Sequence, residues 1–328
     1  MRIKLGKSPF LRSLTEAPDD LFVMANSFEP RCSYGVSTVA HSQYRCTKAV
    51  VINYDSYTED HRKIKDLHLE QIAKYLKHAL PKGNPEPHII QTYKYDVFAF
   101  YKDLAEELQD IDCRNITVDI TTFTKCTLAV FLSLLRERFP HSQIRCVWTP
   151  ALYGSSREIT RGVKETFAVP GFGGIGWRRC KVLILFLGQE HDRSYSLWRA
   201  VDPDIVYLVA SKSEYSSVRP RDIFETAKDI SALVESKKYE VSAIDPREAH
   251  RVLTDIKEDL KTREYTGEVA VACLGTKMEL IGIWNFWQEE QANRIGWSYV
   301  YASPKGFIPG KYTQDYYQEL NEVDLLPN

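Results

Sequence analysis

The sequence predicts an α/β protein: two tandem units of alternating strand and helix, each with a mainly parallel sheet, related by a pseudo-twofold axis. Three observations predict it. Short apolar runs alternate with helical patterns along the whole chain, the pattern of parallel βα units. The chain has 328 residues, 44% of them hydrophobic, enough for one large or two medium cores. The order of the elements, and of the polar motifs that follow them, occurs twice.

The first copy opens on the apolar run 21–25, with further strands at 49–54, 88–93, 116–120 and 144–148. Between them, Ile64, Leu67, Leu69, Ile72, Tyr75 and Leu76 recur at helical spacing over 62–78. Helices are expected again at 98–108 and at 126–139, the latter with an almost wholly apolar face. The second copy gives strands at 182–187, 204–210, 239–244, 269–274 and 297–301. Its helices are expected at 221–234, 246–260 and 278–291. Asp245 and Pro246 mark one helix start, a capping side chain followed by the proline that suits the first helical position. The boundary is expected within 151–179, a stretch of turn-forming Gly, Ser and Pro, giving units 1–165 and 166–328. Residues 305–328 show no periodicity beyond an aromatic cluster and predict a loop or short helix over one half.

The polar motifs repeat with the strands. The first strand of each copy runs into a Glu and then an Arg: Asn26-Ser27-Phe28-Glu29-Pro30-Arg31, and Gly188-Gln189-Glu190-His191-Asp192-Arg193. The fourth strand runs into a Thr-Lys helix start: Thr121-Thr122-Phe123-Thr124-Lys125, and Gly275-Thr276-Lys277. In parallel α/β sheets, ligands bind at the carboxyl ends of strands near the topological switch point. A helix start offers unpaired N–H groups and a positive dipole end, to which hydroxyl and ammonium groups add donors. That combination suits a phosphate; the alternative is that the threonines only cap their helices. The Glu-Arg elements are either ligand contacts, with Arg on a phosphate or base edge and Glu on a ribose or as a base, or structural ion pairs. Asp96 and Asp245 follow the third strands; Asp245 reads as a cap, Asp96 as cap or ligand contact.

Other patterns narrow the chemistry. The formal net charge is −1, so no global field recruits nucleic acid or an anionic membrane. Seven singly placed cysteines fit reduced thiols in a cytoplasmic protein better than disulfides or zinc. No signal peptide or membrane span is read. Gly171-Phe172-Gly173-Gly174-Ile175-Gly176 matches G-x-G-x-x-G, but its strong strand follows rather than precedes it, so it reads as an interdomain loop, not a dinucleotide site. The eight histidines show no metalloprotease or H-x-H spacing. His191 alone lies in a repeated element and joins Glu29 and Glu190 as a catalytic candidate; no metal site and no cofactor are expected. Trp284 and Trp287, three apart, read as helix packing rather than base stacking.

On these motifs the chain, over roughly 20–305, resembles the CARF and SAVED sensor domains of prokaryotic antiviral systems, Rossmann-like units that in SAVED are fused in pairs. The resemblance implies a nucleotide or cyclic oligonucleotide bound between the units at the strand ends. Lys125 and Lys277 would contact phosphates, helped by Thr122, Thr124 and Thr276. Ser27, Glu29, Arg31, Glu190 and Arg193 would meet base or ribose, and Asp96 stays among the ligand-contact candidates. Two departures stand out: Thr122-Phe123 replaces the usual glycine pair, and no effector domain is recognisable. The expectation is an antiphage sensor working with an effector partner, with homo-oligomers open. The rival on the same pocket is an enzyme, a metal-independent ring-nuclease-like phosphodiesterase or a nucleoside hydrolase.

Overall fold

The computed structural model describes residues 18–42, 44–55, 59–83, 86–92, 96–109, 111–152, 159–173, 175–212, 215, 218–290, 296–308 and 315–325. The chain divides into two compact units, Met1–Leu152 with Thr313–Asn328, and Tyr153–Tyr312.

In unit 1, β1 (Asp19–Asn26) passes through a 3₁₀ turn (Pro30–Ser33) into α1 (Tyr34–His41). Then come β2 (Cys46–Tyr54), α2 (Glu59–Ala79), β3 (His88–Thr92), α3 (Val97–Glu107), β4 (Asn115–Asp119), α4 (Lys125–Arg138), β5 (Gln143–Trp148) and the short β6 (Ala151–Leu152). Unit 2 contains β7 (Val163–Ala168), β8 (Val182–Phe186), α5 (His191–Val201), β9 (Ile205–Lys212), α6 (Pro220–Phe224), α7 (Lys228–Leu233), β10 (Glu235–Ser242), α8 (Pro246–Thr262), β11 (Val269–Cys273), α9 (Lys277–Glu290) and β12 (Trp297–Pro304). The chain then returns to unit 1 as β13 (Asp315–Tyr316) and β14 (Asn321–Leu325).

The two six-stranded sheets share one topology. Unit 1 is ordered β14-β5-β4-β1-β2-β3 and unit 2 β10-β9-β8-β11-β12-β7. Counting the parallel strands of each unit in chain order, this is third, second, first, fourth, fifth, the Rossmann-like arrangement, with an antiparallel strand beside the fifth that follows the other five in unit 1 and precedes them in unit 2. The five other strands are parallel. Helices cover such strands on both faces, which is why β8 is apolar and buried at every position. The direction of winding reverses between β1 and β4, and between β8 and β11, so the crevice at the carboxyl ends of those strands positions the site.

Several expectations are corrected. The division falls after Leu152, inside the expected stretch 151–179 and ahead of the expected unit limit at 165/166, and β7 joins the sheet of unit 2. The 305–328 segment is not a loop or helix over one half: its β14 completes the sheet of unit 1 beside β5. Residues 221–234 form α6, a 3₁₀ turn (Glu225–Ala227) and α7 instead of one helix. The strand expected at 239–244 begins four residues earlier, in the polar edge of β10. The glycine-rich loop is anchored over 171–173: Phe172 is fully buried against Tyr299 and Trp287, and its carbonyl accepts from Tyr299 N.

Candidate functional site

At the carboxyl edge of unit 1, β1 delivers Ser27, Phe28 and Glu29, and the 3₁₀ turn delivers Arg31. Glu29 and Arg31 are buried, 5% and 4% exposed. Arg31 Nε donates to Glu29 Oε2 at 2.9 Å, and Nη1 donates to the Thr149 carbonyl at 2.9 Å. Unit 2 repeats the device. Arg193 lies 3.6 Å from Glu190 and donates from Nη2 to the Ala302 carbonyl at 2.7 Å. Glu190 Oε1 accepts from Thr160 N at 2.8 Å and Thr160 Oγ1 at 2.6 Å. In each unit the buried pair fastens the first-strand loop to the end of the fifth strand. A buried ion pair recovers its desolvation only with such added hydrogen bonds. Ser27 Oγ accepts from Glu29 N at 3.3 Å and shapes the same loop.

The other wall of the crevice follows β4. Asp119 Oδ1 accepts from Thr121 N at 2.9 Å, and Thr121 Oγ1 from Thr149 N at 3.0 Å. Thr122 Oγ1 donates to the Ala25 carbonyl, binding the β4 loop to β1 across the switch point. Thr124 caps α4, its Oγ1 accepting from Thr127 N at 3.1 Å. Lys125 is the first residue of α4 and is half-buried; the first turn carries no acidic residue.

The equivalent point in unit 2 is built differently. Thr276 and Glu279 form a capping box: Thr276 N donates to the Glu279 carboxylate, and Glu279 N to Thr276 Oγ1 at 3.3 Å. Thr276 Oγ1 also reaches the Ala243 carbonyl at 3.1 Å. Glu279 is fully buried, and a Cβ at Gly275 would overlap its carboxylate. The position that an anion would take at the start of α9, beside half-buried Lys277, is held by this carboxylate.

A third group of residues, absent from the sequence-based site, flanks the crevice of unit 1. Asn26, Asn53 and Gln91 lie in register on β1, β2 and β3 and form a ladder of side-chain amides. Asn26 Nδ2 donates to Asn53 Oδ1, and Asn53 Nδ2 to Gln91 Oε1, both at 3.0 Å. Lys65 of α2, 5% exposed, donates to the Tyr54 carbonyl. Burial lowers its pKa, opposed in part by Asp55 and Asp66. His61 stacks on Phe28 with centroids 4.2 Å apart and planes 6° from parallel. His68 Nδ1 lies 2.7 Å from the Ser27 carbonyl, so that nitrogen donates. The legible signal is a polar amide at or near the end of three successive strands.

The remaining candidates have structural positions. Asp96 caps α3 and accepts from Ala99 N at 2.9 Å. Asp245 caps α8. His191 opens α5, with Nε2 3.4 Å from Asp229 Oδ2 and its ring stacked on Tyr195. Burial pushes the Cys32 thiol up to about 12, so it is no nucleophile at neutral pH. Among the described residues no group of three or more His, Cys, Asp or Glu is placed to hold a metal ion, and no helix is long and apolar enough to cross a membrane.

No protein-family model matches the sequence, and no curated protein matches it. Among solved structures, the chain is similar to CobK precorrin-6A reductase at 9% identity and TM-score 0.23, covering 87% of this chain and 89% of that one. It is similar to a universal stress protein from Archaeoglobus fulgidus DSM 4304 at 9% identity and TM-score 0.25, covering 89% and 98%. Isoflavone reductase matches at 12% identity and TM-score 0.24, covering 80% and 86%. Scores this low carry no argument about function; the fold class rests on the strand order.

Proposed function

We propose that the carboxyl edge of unit 1 binds a phosphate of a nucleotide or cyclic oligonucleotide, and that the protein acts with an effector partner as a sensor in antiphage defence. The observation that carries the binding role is the start of α4. It lies at the switch point, begins with Lys125, and has no carboxylate in its first turn. The matching start of α9 is closed by Glu279. A helix N-terminus with a lysine and no carboxylate in its first turn favours an anion. Half-buried Phe28, stacked on His61, offers a base a ring to stack on. The resemblance of the repeated motifs to CARF and SAVED sensors supports a cyclic oligonucleotide and the defence role. The threonine hydroxyls serve the fold, so Lys125 and the backbone of 122–126 supply the contacts.

The test is incubation of the purified protein with cyclic oligoadenylates and mixed cyclic nucleotides, followed by calorimetry and mass spectrometry of the products. Binding of an intact ligand is the expected result. Cleavage would establish the phosphodiesterase alternative, and neither binding nor cleavage would refute both.

A further inference from the structure

A cluster of basic side chains lines a cleft at the opposite end of unit 1. The carboxyl edge just described is where β1 and β4 end; α1 and α2 both finish at the amino edge, next to the starts of β2 and β3. There the two helices leave a cleft of about 500 Å³, lined by Ala40, His41, Arg45, Lys74, Tyr75 and His78. That volume is in the range of small-molecule sites. Ala40 and Tyr75 supply the apolar wall, and the Tyr75 ring lies 6.0 Å from that of His41.

The charge of this lining is one-sided. Four of its six residues carry nitrogen cations or imidazoles, and no carboxylate lines it among the described residues. Two other cations of α2 do have carboxylate partners: Arg62 pairs with Glu59 at 2.7 Å and Lys77 with Glu86 at 2.6 Å. None of His41, Arg45, Lys74 and His78 makes an ion pair among the described residues. Basic residues in a last helical turn complement the helix dipole, and that accounts for His41 and His78. It does not account for Arg45, which lies outside either helix, or for Lys74, more than a turn before the end of α2. Like charges gathered in a concavity repel unless an anion sits among them, and such a concavity concentrates anions.

We propose that this cleft binds a small polyanion carrying two or more adjacent phosphates, with Arg45 and Lys74 on the phosphates and the Tyr75 ring against whatever the phosphates are attached to. The guanidinium grips phosphate oxygens in a fork while the ammonium acts as a point charge. The shared chemistry is an oligophosphate, whether free or as the tail of a nucleotide.

The experiment is calorimetric titration of the full chain at near-physiological salt with inorganic tripolyphosphate, ATP and inorganic phosphate. Two comparison proteins are needed: the exposed pair R45E/K74E, and K63E, which removes an exposed cation of the same helix outside the cleft. Tripolyphosphate should bind the native chain and K63E alike, and R45E/K74E at least about tenfold more weakly. Tighter binding of ATP than tripolyphosphate would assign the nucleotide source, and equal binding the free oligophosphate. A loss in R45E/K74E that K63E does not share places the bound tripolyphosphate in this cleft and not at the carboxyl edge. Equal losses in R45E/K74E and K63E, no loss in R45E/K74E, or no tripolyphosphate binding at all would overturn the proposal.

Discussion

Gly35 stands where a larger residue does not fit: a Cβ there would overlap the Asp119 carboxylate, which holds the turn after β4. Gly35→Ala should therefore cost about 1–3 kcal/mol. Gly83→Ala, with nothing within 4 Å of the added carbon, should be nearly neutral. Urea midpoints of the two variants check this, and equal midpoints would remove the role given to Asp119. Glu29 makes a sharper case. Its carboxylate is buried against Arg31, so Glu29→Gln leaves a buried guanidinium without its counter-charge. A loss of about 3–5 kcal/mol is expected, partly recovered when Arg31→Met is added. If Glu29→Gln is as stable as the native chain, the pair does not hold the loop and the motif is available for a ligand.

At the scale of elements, the two helix starts at the switch points differ at the third helical position, Thr127 in α4 against Glu279 in α9, and that difference is energetic as well as functional. Thr276→Ala should destabilise unit 2 by about 1 kcal/mol, the usual value of a lost cap. The edge strand β14 carries a different signal. Glu322 is partly buried beside Arg145 and Asp324, and burial raises its pKa from 4.5 to about 7 despite the guanidinium. The folded chain therefore keeps this proton up to near pH 7, while the unfolded chain releases it near 4.5. The stability it contributes is complete below pH 4.5 and fades as pH rises toward 7. Asp324 is raised by burial as well and acts with the same sign. Urea midpoints measured from pH 4 to 8 should fall across this window in the native chain, and Glu322→Gln should flatten the fall. Parallel profiles would show that β14 does not bury this carboxyl.

At the scale of the molecule, what was legible in the sequence was whatever is buried on both sides. The central strands β1, β2, β8 and β11 carry continuous apolar runs, and each was placed within a few residues. Of the edge strands, β3 was legible, whereas β14 and the first half of β10 were not, because a strand paired on one side only is free to be polar: β14 reads Asn321-Glu322-Val323-Asp324-Leu325 and β10 begins Glu235-Ser236-Lys237-Lys238. The helix α1 escaped because Val36, Thr38 and Val39 are β-branched residues that read equally as strand. The repeated motifs lie at the carboxyl edge of each sheet. Their roles were hidden because the partners are remote: Arg31 meets a carbonyl 118 residues away. Likewise T-x-x-E at 276–279 is a capping box in plain sight, yet only the structure shows its carboxylate lying where an anion would sit. With Glu279 at the start of α9 and no acidic residue in the first turn of α4, the two lysines are unequal. The direct measurement is calorimetric titration of Lys125→Ala and Lys277→Ala with the cyclic oligonucleotide that binds the native chain. Lys125→Ala should bind at least about tenfold more weakly with its thermal midpoint unchanged, and Lys277→Ala should bind as the native chain does. Equal losses in both variants, or a loss confined to Lys277→Ala, would contradict the assignment of the site to unit 1.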